Sequence, residues 1–212
     1  KKSISDPNKF SLGHICNLKI DGFDGAEDYG WNKDDLNFLK KNYTKKVFTK
    51  LNIINLSYSE IKNFFKKHKT TSSSNYITGV YMHNKVTPLS LDKYKDLLLP
   101  LRSEYRLKVG ISVYTQKDLN LILEKGLETD ILQLPLNINC SLDASEFIKK
   151  GCEVYARSIF LQGIYFHDNY SMFSSNTIKN IIKQKKILSE MAQINNTNLG
   201  QFLFSNAIYN SR

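Results

Sequence analysis

The apolar positions of the chain alternate between two spacings over most of its length. Short runs that are almost continuously apolar and rich in β-branched residues occupy residues 47–51, 76–83, 108–113, 130–134 and 152–156. Runs of that kind, five to eight residues long, predict strands buried on both faces. Between them the spacing lengthens to that of a helix: Ile61, Phe64 and Phe65 fall at i, i+3, i+4 within 57–68. A Leu-rich helix is predicted over 89–103, and another reaches residue 125 from an N-cap at Thr115. A fourth covers 142–150, with Gly151 placed to stop it. Beyond the last strand a loop leads to two helical stretches, 176–195 and 197–209.

Repeated strand-then-helix units argue an α/β fold, a parallel sheet covered by helices. Over about 200 residues the repeat favours a (β/α)8 TIM barrel rather than an open sheet. The doubly wound competitor lacks its signals, since neither G-x-G-x-x-G nor G-x-x-x-x-G-K-[ST] occurs. The first and last strands of a full barrel are not evident in the pattern. Residues 70–75 are polar but too short for a linker, so residues 1–212 read as a single domain.

Composition narrows the class. A hydrophobic fraction of 41% with 12% aromatics is too apolar for a disordered chain. No run approaches the roughly eighteen apolar residues of a membrane span, so no membrane partner is expected. The polar start, residues 1–7, lacks the apolar segment of a secretory signal. Cys16, Cys140 and Cys152 are odd in number and lack metal-site spacing, which points to a reducing, cytoplasmic setting. The net charge of +10 raises nucleic acid as a partner, yet only four of 30 basic residues are Arg. Base readout and phosphate forks favour Arg, and the lysines are scattered, so no specific nucleic acid is expected. Attraction for a small phosphorylated ligand remains compatible with the charge.

Barrel chemistry sits at the C-terminal ends of the strands, and four polar residues stand at or just past such ends. They are Asp24, Tyr29, Lys50 and His83. A strand-end Lys is costly to bury without a carboxylate, which Asp24 could supply. A paired ammonium beside a phenol favours phenolate, making Tyr29 a usable proton donor, and His83 could orient a substrate oxygen. Taken singly, each has a plain structural reading: a loop cap, a turn, a lysine reaching solvent, a structural histidine. Four on successive strands are harder to explain that way. No metal is expected, because Asp21, Asp24 and Asp28 lack EF-hand spacing and no H-E-x-x-H or Cys pair occurs. His14 and His68 have no motif around them, His167-Asp168 reads as a solvated loop, and no G-x-S-x-G elbow is present.

These residues resemble the bacterial-type aldo-keto reductases, whose hallmark is Asp, Tyr five positions on, a strand-end Lys and a strand-end His. Phe23-Asp24-Gly25-Ala26-Glu27-Asp28-Tyr29-Gly30 is similar to their Asp-Thr-Ala-x-x-Tyr-Gly, with Gly25 in place of Thr. Gly110-Ile111-Ser112-Val113-Tyr114 resembles the family's Gly-x-Ser segment after strand five, with Val113 where Asn is common. Gln133 resembles the glutamine that, with that serine, holds the nicotinamide carboxamide. The segment from Arg157 and Ser158 to Gly163 resembles the loop packing on nicotinamide and pyrophosphate, with Arg157 where many members have Tyr.

The resemblance covers about 20–209 and implies NAD(P)H-dependent reduction of a small-molecule aldehyde or ketone, or the reverse alcohol oxidation. Tyr29 would donate the proton, Lys50 and Asp24 would tune it, and His83 would orient the carbonyl. Ser112, Gln133, Arg157 and Ser158 would bind the cofactor, NADP or NAD. Against that family the chain looks shortened at both ends. Two other readings stay open: Lys50 as the Schiff-base lysine of an aldolase-like barrel, and a noncatalytic truncated barrel acting as a binding module. Nothing in the pattern indicates oligomeric state.

Overall fold

Side chains alternate across a strand, so each strand here presents one set of residues to the helices and another away from them. The computed structural model describes residues 25–28, 46–69, 77–167, 170–171 and 173–210. Strands β1 (Gly25–Asp28), β2 (Lys46–Leu51), β3 (Gly79–Met82), β4 (Lys108–Ser112), β5 (Ile131–Pro135) and β6 (Glu153–Arg157) form one sheet in chain order. Every ladder is parallel. The helices are α1 (Tyr58–Lys69), α2 (Pro88–Leu97), α3 (Leu99–Tyr105), α4 (Gln116–Glu124), α5 (Ser145–Lys149), α6 (Ser175–Ile194) and α7 (Leu199–Asn210). Strand order without reversal has no topological switch point, which sets this sheet apart from a doubly wound one.

The helix side holds the main core. Val80, Met82, Val109, Ile111, Leu132 and Leu134 of the strands pack with Ile61, Leu91, Tyr94, Leu119, Ile122 and Phe147 of the helices. The other side holds a smaller aromatic cluster of Phe48, Tyr81 and Ile131, with Tyr155 against it. That cluster reveals the sheet's curvature. Phe48 on β2 and Tyr155 on β6 are four ladders apart, about 19 Å in a flat sheet. Their ring centroids nevertheless lie 4.8 Å apart. The sheet therefore curls round its own inner face, as in a barrel. Among the described residues no ladder joins β6 back to β1.

Close approach on the inner face explains two glycines. A Cβ on Gly79 would meet Lys108 O and Phe48 Cδ1 at 2.9 Å, and one on Gly110 would lie 1.8 Å from Ile131 O. Small residues at these sites let Phe48, Tyr81 and Ile131 fill the interior.

The predicted elements match with three differences. The single helix expected over 89–103 is two, α2 and α3, meeting at Leu98 with Pro100 in the first turn of α3. Proline offers no N–H to the preceding turn and clashes with its carbonyl, which ends α2. The helix expected over 142–150 shortens to α5, because the Asp143 carboxylate accepts from Ser145 N at 2.9 Å and holds the start as a turn. Residues Gly25–Asp28, for which the pattern predicts no strand, form one in register with Lys46–Thr49. Thr115 does cap α4, accepting from Asp118 N, and Gly151 follows α5 at φ +83. A second apolar cluster, around Tyr165, Ile181, Leu188 and Leu203, joins α6 and α7 to the loop after β6. No helix among the described residues is long and apolar enough to cross a membrane.

Candidate active site

The register decides which side each polar residue takes. Lys50 pairs with Tyr81, Ser112 with Gln133, and Gln133 with Tyr155. Tyr81 and Tyr155 belong to the inner face, so Lys50, Ser112 and Gln133 do as well. His83 lies two residues past Tyr81 and Arg157 two past Tyr155, which returns both to that face. His83 N donates to Leu51 O at 2.8 Å, continuing the β2–β3 ladder to its end. All five residues thus stand toward the C-terminal ends of β2 to β6, where a parallel α/β sheet collects its chemistry.

Three of these strand ends are joined by side chains. His83 Nε2 and Tyr114 Oη are 2.9 Å apart. The Arg157 guanidinium lies over the Tyr114 ring, 4.1 Å from its centroid, a cation–π distance. Arg157 also donates to Val113 O at 2.8 Å and to Ser158 Oγ at 3.2 Å. The backbone of Tyr114 is tied down too, since Asp118 Oδ2 accepts from both Tyr114 N and Thr115 N at 2.9 Å. Beneath this row, Ser112 Oγ donates to Gln133 Oε1 at 3.1 Å, and both side chains are buried.

Loops around the row are held by buried amides. Asn84 Oδ1 accepts from Ile53 N at 2.7 Å, and Asn84 Nδ2 donates to Asn52 Oδ1. That pair fixes the segment after His83 against the segment after Lys50. Asn137 Nδ2 donates to Ser158 O at 3.3 Å. Ser158, Leu161 and Gln162 all have positive φ, at 58°, 50° and 58°, an unusual concentration for residues with a Cβ. Strain of this sort gathers at functional loops.

Asp24 and Tyr29 lie outside the described residues. Of the other six predicted site residues, Lys50, His83, Ser112, Gln133 and Arg157 come to one face and one end of the sheet, and Ser158 follows directly. The Arg157 guanidinium stacks on a ring of the protein itself, that of Tyr114. Tyr114 was not expected. It has the parity of Ser112, two residues on, so counting the alternation past the strand end would have placed it on this face. Among the described residues no group of three or more His, Cys, Asp or Glu is gathered as a metal site.

This sheet has a counterpart of known structure. The fold is similar to that of a glycerol dehydrogenase. The structure of the glycerol dehydrogenase AKR11B4 from Gluconobacter oxydans, an aldo-keto reductase, superposes with a TM-score of 0.53 at 13% sequence identity. The match covers 80% of this chain and 63% of that one, so the chain spans somewhat under two thirds of its neighbour. At 13% identity the likeness speaks for the fold. No protein-family model and no curated protein matches the chain.

Proposed function

We propose that this chain is an oxidoreductase of the aldo-keto reductase type, reducing the carbonyl of a small aldehyde or ketone with NAD(P)H, or running the reverse alcohol oxidation. One observation carries the reading: Lys50, His83, Ser112, Gln133 and Arg157 share the inner face and the C-terminal end of one curled parallel sheet. Five chemically matched residues from five strands converge there. The glycerol dehydrogenase fold supports the same class of chemistry, interconversion of an alcohol and a carbonyl.

The residues present suit a nicotinamide cofactor in part. A carboxamide both donates and accepts, and the buried Ser112–Gln133 pair offers a hydroxyl and an amide side by side. Arg157 departs from a stacking aromatic, because its guanidinium already covers Tyr114. In this reading it shapes the cofactor pocket and leaves a cation near its mouth, with Ser158 beside it. Bound there, the cofactor would supply hydride to the carbonyl carbon.

The protein's own part is to place and protonate. His83 hydrogen-bonds the carbonyl oxygen and fixes its direction. Tyr29 gives that oxygen its proton as charge develops, and Lys50 with Asp24 keeps the phenol acidic enough to do so. NADPH and NADH titration followed by cofactor fluorescence is the first test, and saturable quenching by at least one is expected. Tyr29→Phe should bind the cofactor normally and lose at least about a hundredfold in turnover, the usual contribution of a general acid. Full activity in that variant would remove Tyr29 from the mechanism. Failure to bind either cofactor, with borohydride trapping of a carbonyl compound on Lys50, would replace reduction by Schiff-base chemistry.

A further inference from the structure

We infer that Tyr114 is a further catalytic residue of this site, and that its hydroxyl and His83 Nε2 together receive the substrate's carbonyl oxygen. The inference rests on the reductase reading above and assigns a group that the aldo-keto resemblance does not.

The geometry is specific. Two polar atoms 2.9 Å apart can both reach a single third oxygen at ordinary hydrogen-bond distance. Both are open to a ligand, since His83 is exposed and Tyr114 is 48% exposed despite its anchored ring. The ring is held from one side by Arg157 and through its backbone by Asp118, and neither contact uses the hydroxyl. The hydroxyl is therefore positioned in advance while its hydrogen bond to His83 can be exchanged for one to substrate. Preorganised donors aimed at a developing oxyanion are the most effective kind, because little reorganises during the reaction.

Arg157 adds charge to this arrangement. Its guanidinium makes no ion pair among the described residues, and Nε is buried without a hydrogen-bond partner among them. Its positive charge thus falls on the Tyr114 ring and on the oxygen site beyond it. A cation so placed favours negative charge on that oxygen. Proton accounting is unchanged: hydride reaches carbon, Tyr29 supplies the proton, and Tyr114 and His83 donate hydrogen bonds without net transfer.

The test uses the full chain with NADPH or NADH, whichever binds, and glyceraldehyde, the aldehyde one oxidation step from glycerol. Tyr114→Phe keeps the ring under Arg157 and removes only the hydroxyl, so its thermal midpoint should stay close to wild type. Its cofactor affinity should also stay within about twofold. Its kcat should fall about a hundredfold, as for loss of one oxyanion donor. The His83 ring nitrogens should shift in NMR spectra of the cofactor-free protein, a readout independent of activity. His83→Ala combined with Tyr114→Phe should lose less than the product of the single losses, since both groups serve one oxygen. Arg157→Gln should reproduce part of the kcat loss.

Wild-type kcat in Tyr114→Phe overturns the assignment while leaving the reductase reading intact. Unmoved His83 signals with strictly multiplicative losses overturn it as well. A wild-type chain that binds neither cofactor overturns both.

Discussion

A methyl group on Gly110 would sit 1.8 Å from the carbonyl oxygen of Ile131 and 2.5 Å from its Cγ1. Neither is the free end of a flexible chain, so the backbone of β5 would have to move. Gly110→Ala should destabilise the protein by about 3 kcal/mol, the upper end of ordinary overpacking costs. Urea unfolding reads this directly, and an unchanged midpoint would show that β5 yields freely. The same side chain of Ile131 also limits Gly79, at 3.0 Å. In the sequence Gly110 was legible only as part of a Gly-x-Ser segment. Its physical reason, an interior filled from neighbouring strands, depends on residues twenty or more positions away. Ser112 and Gln133 were legible only through the family resemblance, whereas their mutual hydrogen bond follows from the β4–β5 register.

At the scale of elements, the loop between β4 and α4 links stability to the site. Thr115 caps α4 and, with Asp118, closes a capping box, while the same Asp118 carboxylate accepts from Tyr114 N. Thr115→Ala should therefore cost about 1 kcal/mol, as cap removals do, measured as a shift in denaturant midpoint with unchanged slope. A loss below a few tenths would mean that Asp118 alone secures the turn. Caps of this type are read easily from sequence, because a Thr followed three residues later by an acidic or hydroxyl side chain is a local pattern. The break between α2 and α3 was less legible. Leu98 and Leu99 continue the apolar spacing, and only the backbone chemistry of Pro100 interrupts it. The strand at Gly25–Asp28 escaped notice because Gly-Ala-Glu-Asp has little strand character alone. It exists through its ladder with β2.

At the scale of the molecule, one buried phenol links an outer helix to the sheet and imposes a pH dependence. Tyr94 of α2 is fully buried and donates to Glu128 O, just before β5, at 3.0 Å. Burial, and secondarily the nearby Asp130 carboxylate, pushes its ionisation well above the usual tyrosine range. In the unfolded chain the phenol ionises near its ordinary value of 10.0, while the folded state keeps it neutral. Its contribution to stability is thus complete below pH 10 and is lost progressively above it. Tyr94→Phe should be less stable than wild type at pH 8 by about 1 kcal/mol, the usual worth of such a hydrogen bond. The gap should close or reverse by pH 11, because phenylalanine has no proton to lose. Parallel denaturation curves at pH 8 and 11 check this, and a constant gap would refute it. The Arg102 guanidinium, paired with Glu128 and Asp130 at 2.7 and 2.8 Å, reinforces the same corner of the sheet.

The sequence by itself determined the alternation of strands and helices, the caps, and most of the polar residues that stand at one end of the sheet. Those properties depend on side-chain type and on spacing within one element, which the linear order preserves. Tertiary structure alone decided that the sheet curls, since no local pattern sets a β2 ring against a β6 ring. It also decided which strand ends meet. The pairing of His83 with Tyr114, and of Tyr114 with Arg157, spans 31 and 43 residues and follows from ladder register, a property of pairs of strands.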